Sequence, residues 1–108
     1  MIKIGIRDDD WKSAETIQKY LELLGKKYQY KLELEVYSSG EELICGYEEG
    51  NRFDLIYLDI EMKGMDGIET ARWIREQHYH MILICVSSYD TYLKQLFEVE
   101  PFRFLQKL

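Results

Sequence analysis

The chain has 108 residues, which bounds it to one domain of common size with room for a core of its own. With 46% hydrophobic and 31% charged residues its composition is that of an ordinary globular protein. A formal net charge of −6 argues against nucleic-acid binding by this chain, which needs a basic patch, and points to a cationic metal or partner surface. The two cysteines, Cys45 and Cys85, lack metal-ligand spacing and fall in expected regular elements. Buried free thiols in a reducing cytosol are therefore expected. No apolar run approaches membrane-spanning length, and the first residues enter a strand directly, so neither a membrane span nor a signal peptide is expected.

Ile2, Ile4 and Ile6 alternate with Lys3, Gly5 and Arg7, the pattern of a short strand with one well-buried face. It ends in Asp8-Asp9-Asp10, where Asp10 can cap a helix. From Trp11 to about Leu24 the residues Ala14, Ile17, Leu21 and Leu24 recur at helical spacing, with Gly25 as the expected terminator. Leu32, Leu34 and Val36 alternate with Glu33 and Glu35 and predict a second strand at a sheet edge. Ser38-Ser39-Gly40-Glu41-Glu42 holds two overlapping capping boxes, with a short helix through Tyr47, and Gly50-Asn51 turns the chain.

The segment Phe53 to Gly67 organises the rest. Leu55-Ile56-Tyr57-Leu58 is a short apolar run bounded by charge, hence a buried strand, and Asp59 ends it. A carboxylate there is costly unless water, a metal or hydrogen bonds receive it; alone, it reads equally well as a turn residue. Gly64 and Gly67 mark a loop, and Asp66 starts a helix to about Gln77 with Ile68, Ala71 and Ile74 inward. His78 and His80 are expected in a solvent-facing loop. Met81 to Val86, the most apolar run, predicts a central strand ending in Ser87-Ser88. Ser88 or Asp90 can cap a helix through Leu93, Leu96 and Phe97, Pro101 breaks it, and Phe102 to Gln106 forms a last strand ending at Lys107.

Strand and helix alternate four times before a fifth strand, which predicts an α/β domain with a parallel sheet and helices on both faces. Ligand sites in such sheets lie beyond the carboxyl ends of the strands. Four of those ends carry Asp8 and Asp9, Asp59, Ser87, and Lys107. Three carboxylates in one crevice repel unless a cation joins them, and oxygen-only donors favour a hard ion such as magnesium. A carboxylate can attack phosphorus to give an aspartyl phosphate, with a serine hydroxyl and a lysine ammonium contacting the transferring oxygens.

In order and over essentially the whole chain, these motifs resemble the receiver domain of two-component response regulators. The carrying residues are Asp8-Asp9, Leu58-Asp59-Ile60-Glu61-Met62, Gly64-Met65-Asp66-Gly67, Ser87 and Phe104-Leu105-Gln106-Lys107. Ser88-Tyr89-Asp90 through Phe97-Glu98-Val99, then Phe102-Arg103-Phe104-Leu105, look most like the LytTR-type subfamily, whose output domain binds DNA. The resemblance implies a flavodoxin-like doubly wound sheet of order 2-1-3-4-5, and residues 1–108 as one phosphoacceptor domain lacking its last helix. It implies that Asp59 accepts a phosphoryl group from a sensor histidine kinase. Asp9 would bind Mg2+ directly, Asp8 largely through water, and Glu61 through its backbone carbonyl. Ser87 and Lys107 would contact the phosphoryl group, Phe104 would switch inward with Ser87, and the side chains of Glu61 and Tyr89 would tune hydrolysis. The protein would be a cytoplasmic signalling switch rather than an enzyme, a possible homodimer, reaching DNA only through an output domain absent from this chain.

Two residues depart from the family pattern. Lys63 replaces the usual loop proline, and Arg7 replaces a small or apolar residue at a place where it can ease the repulsion among the acids. The competing function is a phosphate-independent pseudo-receiver acting as a dimerisation or interaction module. An aspartyl-phosphate hydrolase wants aspartate where Glu61 stands, and a flavin carrier wants a phosphate-cradling loop where Asp8-Asp9-Asp10 stands.

Overall fold

The computed structural model describes residues 1–60, 67–78, 80–87 and 103–106, the last four and Ser87 as backbone alone. In chain order the elements are β1 (Ile2–Arg7), α1 (Trp11–Tyr28), β2 (Leu32–Tyr37), α2 (Gly40–Glu48), β3 (Leu55–Asp59), α3 (Gly67–Gln77), β4 (Ile82–Ser87) and β5 (Arg103–Gln106). The five strands form one sheet of order β2-β1-β3-β4-β5, and every neighbouring pair is parallel. The doubly wound order expected from the sequence is therefore present, with β2 at an edge. The expected helix through Phe97 lies outside the described residues.

The two faces of the sheet bury different sets of side chains. On one, Ile4 and Ile6 pack with Ala14, Ile17 and Leu21 of α1, beside Leu55 and Tyr57. On the other, Ile56, Leu58, Leu83 and Cys85 meet Leu43 and Tyr47 of α2 and Ile68, Ala71 and Ile74 of α3. Residues two apart on a strand share a face, so successive strand positions feed alternate cores. This corrects the expectation that β1 has a single buried face, because Gly5 and Arg7 are buried too. A Cβ on Gly5 would sit 3.3 Å from the Phe53 ring, so the small residue admits that ring.

Helix α1 overruns its expected end. Gly25 lies inside it and is buried, because a side chain there would press on Leu32 Cδ1 and the Tyr30 carbonyl, each 3.1 Å from the Cβ position. The helix ends instead on Gln29, at φ 62 and ψ 34. Tyr30 N–H donates to the Gly25 carbonyl at 2.9 Å and Gln29 N–H to that of Lys26 at 3.4 Å, the paired bonds of a Schellman turn. Leu24, expected inside, is 46% exposed. The caps expected at Asp10 and Ser39 are present, while those expected at Asp66 and at Ser88 or Asp90 lie outside the described residues. Asp10 accepts from Lys12 N–H at 3.1 Å, and Ser39 accepts from Glu42 N–H at 3.1 Å while the Glu42 carboxylate takes Ser38 N–H at 2.9 Å.

The thiols divide, against the expectation that both are buried: Cys85 is buried in β4, while Cys45 is exposed on α2. His78 is half-buried rather than solvent-facing, since it lies against Tyr47 with ring centroids 5.2 Å apart, while His80 is exposed.

Candidate metal and phosphoryl site

The strand ends bring distant acids together. β1 runs out at Arg7, so Asp8 and Asp9 emerge at the carboxyl edge of the sheet, and β3 ends at Asp59 on the adjacent strand. Carboxylate oxygens of Asp8, Asp9 and Asp59 all lie within 4.8 Å of one another. Asp8 and Asp59 are 3% and 2% exposed, while Asp9 faces solvent. The backbone makes this placement rigid. Asp8 N–H donates to the Tyr37 carbonyl at 3.1 Å and Ile60 N–H to the Val86 carbonyl at 2.9 Å, which extends the pairing past both acids. Asp8 Oδ1 also accepts from Asp10 N–H at 2.9 Å, which fixes its rotamer above the start of α1.

Three carboxylates this close, two of them buried, are a donor set of oxygens alone, which suits a hard divalent cation. The residues fit magnesium on that chemistry. One side of the pocket opens into a cleft of about 470 Å3 lined by Asp8, Lys12, Ser13, Thr16, Ile17, Tyr57 and Val86. Lys12 and Ser13 escaped the sequence reading. The first turn after an acid pair is the place to have looked, because a helix starting there projects its side chains over the strand end.

Beside Asp59, Val86 is its register partner on β4, so Ser87 stands one position further along at the same edge. Ser87 pairs with Gln106, and Phe104 with Cys85. For both Ser87 and Phe104 the backbone position alone is described. Glu61, Lys63, Tyr89 and Lys107 lie outside the described residues.

Arg7 is 1% exposed at the end of β1, so the expected neighbour of the acids is a buried one. Burial pushes its guanidinium below the usual arginine range, and Asp9, Asp59, Asp8 and Glu41 hold its charge against that, in this order of strength. Next to Arg7 on β2, Tyr37 donates to the Glu35 carboxylate at 2.6 Å and accepts from Asn51 at 3.2 Å, locking the edge strand to the turn after α2.

A parallel sheet of this order with helices on both faces defines the flavodoxin-like, CheY-like fold, and here an acid pocket lies at its carboxyl edge. The response regulator receiver domain model matches residues 4–108, and the chain belongs to that family. Among curated relatives, the sensory transduction protein LytT of Oceanobacillus iheyensis is 37% identical over 71 residues, covering 64% of this chain and 28% of that protein. The transcriptional regulatory protein ResD of Bacillus subtilis is 36% identical over 86 residues, covering 80% of this chain and 33% of ResD. The chain thus spans about a third of the length of these relatives. Among solved structures, the response regulator TrrA of Thermotoga maritima, crystallised with Mg2+ and BeF, superposes with a TM-score of 0.83 at 29% identity, over 100% of this chain and 88% of that one. A CheY-like receiver from Methanospirillum hungatei, 22% identical, has the same fold at a TM-score of 0.83, covering 99% of this chain and 82% of its own. No helix among the described residues is long and apolar enough to cross a membrane.

Proposed function

We propose that residues 1–108 form one phosphoacceptor domain in which Asp59 takes a phosphoryl group from a phosphohistidine of a sensor kinase. Receiver domains are signalling switches that histidine kinases phosphorylate, and they bind magnesium at an acidic pocket. The observation that carries the proposal is the convergence of Asp8, Asp9 and Asp59 within 4.8 Å at the carboxyl edge of the sheet. The magnesium complex of TrrA supports the choice of ion.

Asp9 and Asp59 would hold magnesium directly, Asp8 through water, and Glu61 through its carbonyl. Bound magnesium supplies charge neutralisation for the acids and for the incoming phosphoryl oxygens. Asp59 supplies the nucleophile: its carboxylate oxygen bonds to phosphorus as the phosphorus–nitrogen bond of the phosphohistidine breaks, and the bonding pair leaves with the imidazole. Ser87 and Lys107 would donate to the transferred oxygens, and Phe104 would follow Ser87 inward, shifting a two-state equilibrium. In the full-length protein this would govern a LytTR-type DNA-binding output domain in the cytoplasm, by way of a homodimer. A sensory transduction protein, LytT, and a transcriptional regulatory protein, ResD, among the relatives support a regulatory role.

The test is intact-mass analysis after incubation with acetyl phosphate, with and without magnesium, beside Asp59→Asn. The expected result is a magnesium-dependent gain of one phosphoryl group that the variant does not show. No gain in folded protein would overturn the proposal in favour of a phosphate-independent interaction module.

A further inference from the structure

β1 ends on a cation that the fold buries. Arg7 is the largest fully buried side chain among the described residues. Its register partners are Tyr37 and Leu58, and Leu58 immediately precedes Asp59 just as Arg7 immediately precedes Asp8. It shares a face with Gly5, whose neighbour is Phe53, so it lies on the side of the sheet that α2 and α3 cover. Its Nε and Nη1 are buried with no hydrogen-bond partner among the described residues. Burying a guanidinium with idle donors is costly, and arginine cannot escape that cost by losing its proton at neutral pH. A neutral side chain of similar length would avoid the cost altogether. What offsets the cost is the field of the acids: Asp9, Asp59, Asp8 and Glu41 all favour the charged form of Arg7.

We propose that Arg7, buried at the same carboxyl edge of the sheet but on the α2 and α3 side, is the built-in counter-ion of the acid pocket, offsetting the mutual repulsion of Asp8, Asp9 and Asp59 in the metal-free protein and opposing the divalent ion that binds them. The inference rests on reading these acids as a magnesium site. Three ionised carboxylates carry three negative charges, Arg7 cancels one of them, and a divalent ion cancels the other two. With Arg7 in place the metal-loaded pocket is formally neutral before the phosphoryl group arrives. Metal affinity is what the arginine gives up for that neutrality.

The experiment uses the whole chain as wild type, Arg7→Met and Arg7→Lys. Magnesium chloride is titrated by calorimetry, and melting is followed in EDTA and in saturating magnesium chloride. Arg7→Met should bind magnesium about tenfold more tightly than wild type, the effect of removing one unit charge from a divalent ion across a partly screened distance. Arg7→Lys, which keeps the charge, should stay within about threefold of wild type. Arg7→Met should also melt below wild type in EDTA and recover more in magnesium than wild type does. Folded Arg7→Met that binds magnesium as wild type does would overturn the proposal. An Arg7→Met protein that folds only with magnesium meets the expectation. One that is unfolded in both buffers overturns it, because the ion should take over from the guanidinium. Equal binding by all three removes the role of Arg7 and leaves the metal site standing. No binding by any of them removes the metal site, and the proposal with it.

Discussion

Substituting alanine for Gly67 tests how the acid-bearing strand is locked to its helix. Gly67 opens α3, and its N–H donates to the Ile60 carbonyl at 3.1 Å, one residue beyond Asp59. A Cβ there would meet the Ile60 carbonyl oxygen at 2.7 Å and its carbon at 2.8 Å, against 3.4 Å or more for ordinary contact, and would also press on Ile60 Cα. All of these are backbone atoms, so no rotamer change relieves the clash and α3 must retreat. Overpacking against an unyielding wall costs up to ~3 kcal/mol. The strained Gly67–Ile60 hydrogen bond adds ~1 kcal/mol. Alanine's better helix propensity returns at most ~1 kcal/mol. The net loss is then roughly 2–3 kcal/mol, a large part of a stability of about 5–15 kcal/mol. Urea unfolding followed by tryptophan fluorescence measures it. Gly50→Ala is the control, since Gly50 has φ 103 with no atom within 4 Å of its Cβ position, and therefore pays backbone strain alone. That strain is about 1–2 kcal/mol. A Gly67→Ala loss below about 0.5 kcal/mol, within the range of neutral surface changes, would refute the reasoning by showing that α3 moves away freely.

Further outcomes follow from burial. Cys45 is exposed, while Cys85 is buried with its thiol pushed up to about 12 by desolvation. A thiol reagent at pH 8 should therefore titrate one cysteine in the native protein and both in urea; two fast thiols in native protein would contradict the β4 burial. Tyr37 and Tyr47 are each raised from 10.0 to about 12, chiefly by burial. Because the folded pKa exceeds the unfolded one, their contribution is complete below pH 10 and is lost as pH rises towards 12, so urea midpoints should fall across that window. Tyr37→Phe and Tyr47→Phe together should flatten the fall. Ile74 is fully buried between the sheet and α2, and Ile74→Ala should cost about 2–5 kcal/mol by urea unfolding, whereas Glu76→Ala on the exposed side of α3 should cost under about 0.5 kcal/mol.

The sequence by itself determined the order of elements. Hydrophobic period separates strand from helix, and caps such as Asp10 and Ser39 act within a few residues, so both are legible locally. It also marked Asp8, Asp9 and Asp59 as candidates by their place at the ends of apolar runs, although an aspartate there reads equally well, taken alone, as a turn residue. Only the tertiary structure decided that these acids meet within 4.8 Å, since their approach depends on β1 and β3 pairing in one particular register. Periodicity names the face a residue lies on and is silent on how far that face is covered. Leu24 and Cys45 therefore sit in regular elements and are exposed. Gly25 looked like a stop signal and is instead a contact with the chain entering β2, a neighbour that the folded chain alone supplies. Arg7 is the sharpest case. Strand alternation marked it as polar, yet the packing of α2 and α3 over the sheet buries its charge beside the acids.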